Sequence, residues 1–178
     1  MTGHEWGRTE RLVLRRWTEA HFPFLYELGS RPEMVKYVGD GSLWDQGMAT
    51  AKHEAALAHW DRHGFGWLAV HDATDSFVGV VALTVQSGET PRTVEIGYWI
   101  ATEAWGLGYA TEAVAAAVDR MFHSGRAERL TARYRHENGA SGRLLEKLGF
   151  TTRPVAHGRR KAVLEISEYE PLRPGPRK

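Results

Sequence analysis

The chain contains no cysteine. Disulfides, thiolate metal sites and cysteine nucleophiles are therefore excluded at the outset. It also lacks any run near the ~18 consecutive apolar residues of a membrane span. The segment Met1 to Glu10 is polar and has no apolar signal-peptide core. Together these absences make the cytoplasm the expected compartment. Neither sign of charge dominates, since 23 Lys and Arg against 22 Asp and Glu leave a net charge of +1. That balance supports no broad basic face, so neither nucleic acid nor a membrane surface is an expected partner. Nor is the chain low in complexity: its 19 glycines and 7 prolines in 178 residues fall well short of the ~25–30% that marks disorder.

What is present fits one domain, on a guide of ~150 residues each, large enough to bury about 70% of its unfolded surface. No internal repeat or interior linker is visible. The domain is expected over 9–170, with 171–178 (PLRPGPRK) a disordered tail. Hydrophobic periodicity predicts a strand at Arg11–Arg15 and a helix capped by Thr18 through Leu28. Further helices are predicted after Pro32 and from about Asp45 to His63. Strands follow at Gly66–His71, Phe77–Val85 and Thr93–Ile100. Apolar residues at 110, 113, 114, 117, 118 and 121 define an amphipathic helix from Gly108 to about His123. A strand at Arg129–Arg135 precedes a helix from Asn138 to Leu148, which Gly149 closes. Strands near Thr151–Val155 and Lys161–Tyr169 complete the chain. This order is neither strict βαβ alternation nor all-β. The fold class is α+β, a single domain with a mixed, mostly antiparallel sheet flanked by helices.

The glycine share exceeds the ordinary ~7%, and its most informative cluster is Ala104–Ala113, AWGLGYATEA. Gly106 and Gly108 fall between a strand and the amphipathic helix. Without Cβ atoms they permit a tight turn and close approach of a ligand. The unpaired N–H groups of the first helical turn then favour an anion, which makes the segment a phosphate cradle. Two other phosphate loops are excluded. A dinucleotide-binding GxGxxG requires glycine where Thr111 stands, and no Gly-Lys-Ser/Thr occurs. His53-Glu54 lacks the second histidine of HExxH, because position 57 is Leu57. No metal site is expected.

These residues carry a family resemblance. The acetyl-CoA motif Gln/Arg-x-x-Gly-x-Gly/Ala corresponds to Trp105-Gly106-Leu107-Gly108-Tyr109-Ala110, with Trp105 departing at the first position. Segments 9–23 (TERLVLRRWTEAHFP), 79–84 (GVVALT), 94–100 (VEIGYWI) and 138–150 (NGASGRLLEKLGF) also match. Over about 9–170 the chain resembles the GCN5-related N-acetyltransferase (GNAT) superfamily, in its ribosomal-protein N-terminal acetyltransferase branch. The resemblance implies acetyl-CoA as co-substrate, no metal, and direct attack of a primary amine on the thioester. It implies that Trp105 to Thr111 cradle the pyrophosphate and that backbone groups of Tyr98 and Ile100 meet the pantetheine, with an N–H near Ile100 as oxyanion donor. Glu95, on the strand before the loop, becomes the candidate base. Asn138 sits by the pantetheine arm, and Ser141 by the sulfur as candidate acid or positioning group. Many relatives use a tyrosine seven residues after Asn138, where this chain has Leu145.

The acceptor pocket is expected around Tyr37, Trp44, the 39–42 turn, Trp99 and the loop at 157–160. The acceptor is a protein N-terminus or a small-molecule amine. The alternative is a non-catalytic CoA-binding or interaction module with the same fold. A homodimer is left open.

Overall fold

A computed structural model describes residues 4–171, apart from 87 and 91. Eight strands form one sheet in the order β1-β2-β3-β4-β5-β6-β8-β7. They are β1 (Glu5–Arg8), β2 (Leu12–Arg16), β3 (Leu68–Asp72), β4 (Phe77–Val85), β5 (Thr93–Ile100), β6 (Arg129–Arg135), β7 (Thr151–Val155) and β8 (Arg159–Glu165). Every neighbouring pair is antiparallel except β5–β6, which is parallel. The helices are α1 (Phe22–Gly29), α2 (Pro32–Val35), α3 (Gln46–His63), α4 (Tyr109–His123) and α5 (Gly139–Lys147). This is the expected α+β architecture.

Local chemistry explains the boundaries. Asp45 accepts from Met48 N and caps α3, and Gly64 (φ 68°) ends it in the left-handed conformation. Helix α4 buries Ala113, Val114, Ala117, Val118, Met121 and Phe122, the stripe set by the 3.6-residue period. Burial of each large apolar side chain contributes roughly 1.5–3 kcal/mol, which anchors α4 and with it the loop at its head.

Four local features differ from the sequence expectation. Strand β1 was not anticipated, being four residues with a glycine, and it joins β2 through a register shift. The helix expected from Thr18 is split into a 3-10 turn at Glu19–His21 followed by α1. Strand β3 starts at Leu68 rather than Gly66. The last strand is Arg159–Glu165 and gives way to a 3-10 turn, because Ile166 N turns to donate to Glu128 O at 2.8 Å. The expected tail lies, except for Pro171, outside the described residues. Among the described residues no helix is long and apolar enough to cross a membrane.

His53, half of the apparent metal motif, is a core residue. It accepts from Trp17 Nε1 at 3.0 Å and lies 3.0 Å from Glu19 Oε2. Nearby His21 is 5% exposed, stacks on Trp17, and accepts from Thr18 N at 2.9 Å. Burial first, then the positive potential of His71 beside it, pushes its pKa down to about 4. His59 and His71 shift the same way, mainly through burial.

A histidine whose folded pKa is depressed stabilises the fold above its ordinary value and loses that contribution as pH falls. For His21 the window runs from about 6.5 down to about 4, and the loss amounts to about 3 kcal/mol. Urea midpoints measured between pH 7 and pH 4 should therefore fall steadily. A midpoint flat over that range would contradict the buried neutral histidine.

Candidate functional site

The site begins where the sheet opens. Parallel pairing of β5 with β6 stops after Thr93↔Arg129, Val94↔Leu130 and Glu95↔Thr131, although β5 continues to Ile100 and β6 to Arg135. Ala101 N donates to Val78 O at 2.9 Å, which sets the phase of the β4–β5 ladder. Peptide groups alternate along a strand, so the C=O of Ile96 and the N–H and C=O groups of Tyr98 and Ile100 face away from β4, into the gap, while the Ile96 N–H closes the last pair with Thr131. Beyond that pair the groups facing the gap have no strand partner. A cavity of about 870 Å³ occupies this splay.

The glycine loop forms one end of the cavity. Gly106 and Gly108 both adopt positive φ, 76° and 78°, and Gly108 is the N-cap of α4. Trp105 folds back so that its indole N–H donates to Ile100 O at 2.7 Å. Trp105, Gly106, Gly108, Tyr109 and Ala110 line the cavity, as do Tyr98 and Ile100. Leu107 and Thr111 lie outside its lining.

The far wall is α5. Asn138 Oδ1 accepts from Ser141 N at 3.2 Å and caps the helix, and both residues line the cavity. Close packing holds this helix end in place: a Cβ added at Gly142 would stand 3.3 Å from the Tyr134 ring. Tyr98 donates a long bond, 3.4 Å, to Ser141 O, and burial pushes its pKa up to about 12. Its hydroxyl therefore stays protonated at neutral pH.

Glu95 sits at the point where the two strands part, opposite Thr84 across β4. Its Oε2 lies 2.9 Å from Arg133 Nε, without a hydrogen-bonding angle and sealed from solvent. Both residues line the cavity. Aromatic rings form the adjoining wall, with Trp67 and Trp99 5.3 Å apart between centroids and Tyr37 beyond. Arg135 and Arg159 converge on Gly39 O at 2.8 and 3.0 Å and strap the α2–α3 loop across β6 and β8. Of the acceptor residues expected from the sequence, Tyr37, Gly39, Trp99 and Arg159 line the cavity, whereas Trp44 is 7% exposed and packs edge-on to Trp99.

Sequence reasoning missed Trp67, Thr84, Arg133 and Tyr134. Arg133 and Tyr134 lie on successive positions of a strand correctly placed, so their faces were readable. Their meeting with Glu95 and α5 depends on the splay. Among the described residues no group of three or more His, Asp or Glu is placed to hold a metal.

The fold and cleft thus define an α+β protein with a glycine N-cap at a helix head and an open strand edge beside it, both lining one cavity. The Acetyltransferase (GNAT) domain matches residues 11–151, and the chain belongs to that family. It is 29% identical over 144 residues to the uncharacterized N-acetyltransferase YoaA of Bacillus subtilis, covering 80% of each chain. The same fold occurs in the ribosomal L7/L12 alpha-N-protein acetyltransferase RimL in complex with coenzyme A (TM-score 0.78, 17% identity, 93% of this chain and 99% of that one). It occurs also in spermidine N-acetyltransferase from Vibrio cholerae in complex with CoA and spermine (TM-score 0.74, 20% identity, 90% and 99%).

Proposed function

We propose that this chain transfers the acetyl group of acetyl-CoA to a primary amine. One observation carries the reading: the free edge of β5, the glycine N-cap of α4 and the Glu95 carboxylate all open onto a single cavity. The residues fit the co-substrate. Gly106, Gly108 and the first turn of α4 would hold its pyrophosphate with backbone N–H groups and the helix dipole. The unpartnered amides of β5 would hold the pantetheine as an added strand, β-fashion. Bound there, acetyl-CoA supplies an activated acyl group on a thiol leaving group.

The protein's own groups would do the rest. An amine at neutral pH is mostly protonated, so a proton must be removed before attack, and Glu95 accepts it, directly or through water. Arg133 fixes the carboxylate's position. Backbone N–H groups near Ile100 supply hydrogen bonds to the carbonyl oxygen as charge develops on it. Ser141 and Asn138 orient the sulfur end from α5. The aromatic wall and the strapped α2–α3 loop receive the acceptor, in the cytoplasm. Relatives of the same fold are named for acceptors as different as a ribosomal protein N-terminus and spermidine. The acceptor is therefore assigned only as a primary amine, a protein N-terminus or a small molecule.

The test is thiol release from acetyl-CoA with peptides and small amines screened in parallel. Thiol appearing only in the presence of an acceptor is the expected result. Saturable CoA binding with no turnover on any acceptor would establish the non-catalytic module instead.

A further inference from the structure

Arg11 lies almost a hundred residues from the glycine loop in sequence, yet it is the loop's principal outer contact. Its Nη1 donates to Leu107 O at 2.8 Å. Its Nε donates to Glu112 Oε2 at 2.7 Å, with Nη2 2.5 Å from the same oxygen. The other carboxylate oxygen of Glu112 accepts from Thr9 Oγ1 at 2.5 Å and from Arg11 N at 3.1 Å. The guanidinium also covers the Tyr109 ring, 4.9 Å from its centroid. Neither Arg11, Leu107 nor Glu112 lines the cavity, whereas Gly108, Tyr109 and Ala110 do.

We propose that Arg11 is a positioning residue that locks the Leu107–Gly108 peptide, so that the Gly108 N–H faces the pyrophosphate site. The inference rests on the cradle assigned above. The carbonyl of Leu107 and the N–H of Gly108 belong to one trans peptide unit and point in opposite directions. Holding the carbonyl on the outer side therefore turns the N–H inward. The lock is needed because a flip of this peptide rotates φ of Gly108, a residue with little conformational preference, together with ψ of Leu107. Gly106 and Gly108 occupy positive φ, and glycine crosses to other conformations at little cost. A flipped peptide would present a carbonyl oxygen to the phosphate.

Arg11 has a second effect. Glu112 is an acid in the first turn of α4, where its charge would oppose a bound anion. Paired with the guanidinium, that carboxylate is neutralised and serves as the anchor from which Arg11 reaches Leu107. The role depends on the planar fork of arginine, which serves two acceptors while stacked on a ring. A lysine ammonium keeps the charge but not that geometry.

The experiment combines calorimetric titration of CoA with amide NMR of Gly108 in wild type, R11K, R11Q and E112Q. All three variants are expected to bind CoA about tenfold or more weakly, the loss associated with a charge-assisted bond. In each, the Gly108 amide of the free protein should be broadened or doubled while core amides of α4 such as Val118 stay in place. Wild-type affinity in R11K would overturn the lock, because charge alone would then suffice. Weakened binding with an unchanged Gly108 amide would overturn it as well. Failure of the wild type itself to bind CoA would bring down the cradle and the lock together. E112Q covers the case in which the Arg11 variants do not fold.

Discussion

Gly108→Glu should abolish measurable CoA binding while leaving the fold intact. Gly108 combines a positive φ of 78° with the N-cap position of α4, where the helix offers its unpaired N–H groups. Any side chain there is strained, since the left-handed region costs an L residue about 1–2 kcal/mol. Space is not the obstacle: a Cβ at this position meets only Arg11 Nη2, at 3.5 Å. The new side chain would thus start toward the guanidinium. If its carboxylate pairs with Arg11, it competes with Glu112 and frees the loop. If it does not, it adds an unneutralised negative charge to the proposed pyrophosphate site. Two like charges 4 Å apart cost roughly 1 kcal/mol in bulk water and about 4 at an effective dielectric near 20. Either route, added to the backbone strain, amounts to a loss of more than about a hundredfold in affinity. Calorimetry on a variant with wild-type circular dichroism checks this. Affinity within about tenfold of wild type would remove the glycine loop from the site.

The loop shows which parts of this protein are legible in its sequence. Gly106, Gly108 and the apolar stripe of α4 are local features. Spacing alone was enough to place the turn and the helix, because 3.6-residue periodicity and glycine's freedom act within a few residues. Strands β4, β5 and β6 were placed at their observed bounds for the same reason. The splay was not legible from the residues, since it depends on where β6, more than thirty residues later, stops pairing with β5. Arg11 is a further case: as a residue of an alternating RLVLR segment it reads as an ordinary strand end. Only the stacking of β2 beside α4 brings it to Leu107 and Glu112. His53 shows the converse error that a motif invites, for its partners Trp17 and Glu19 make it a core residue with both ring nitrogens occupied. Glu95 lies between these cases, its strand readable and its setting not.

That setting gives the second large effect. Glu95→Gln should lower kcat by roughly a hundredfold or more, the usual contribution of a positioned general base. The KM for acetyl-CoA should change little. Glutamine keeps the size and one oxygen of the carboxylate, so packing against Thr84 and Thr131 is preserved, while the ability to take a proton is lost. The separation of the two parameters follows from position. Glu95 marks the end of β5–β6 pairing, whereas the proposed coenzyme contacts lie beyond it, on the free stretch to Ile100 and at the head of α4. The substitution also leaves Arg133 without its carboxylate partner, which offers a control. If Glu95 acted only by neutralising Arg133, then Arg133→Gln would restore activity to the glutamine variant. For a base, the double variant stays as slow as Glu95→Gln alone, and the pH–rate profile loses its acid limb in both. A wild-type pH profile in Glu95→Gln, or recovery on removing Arg133, would show that the proton leaves the amine by another route.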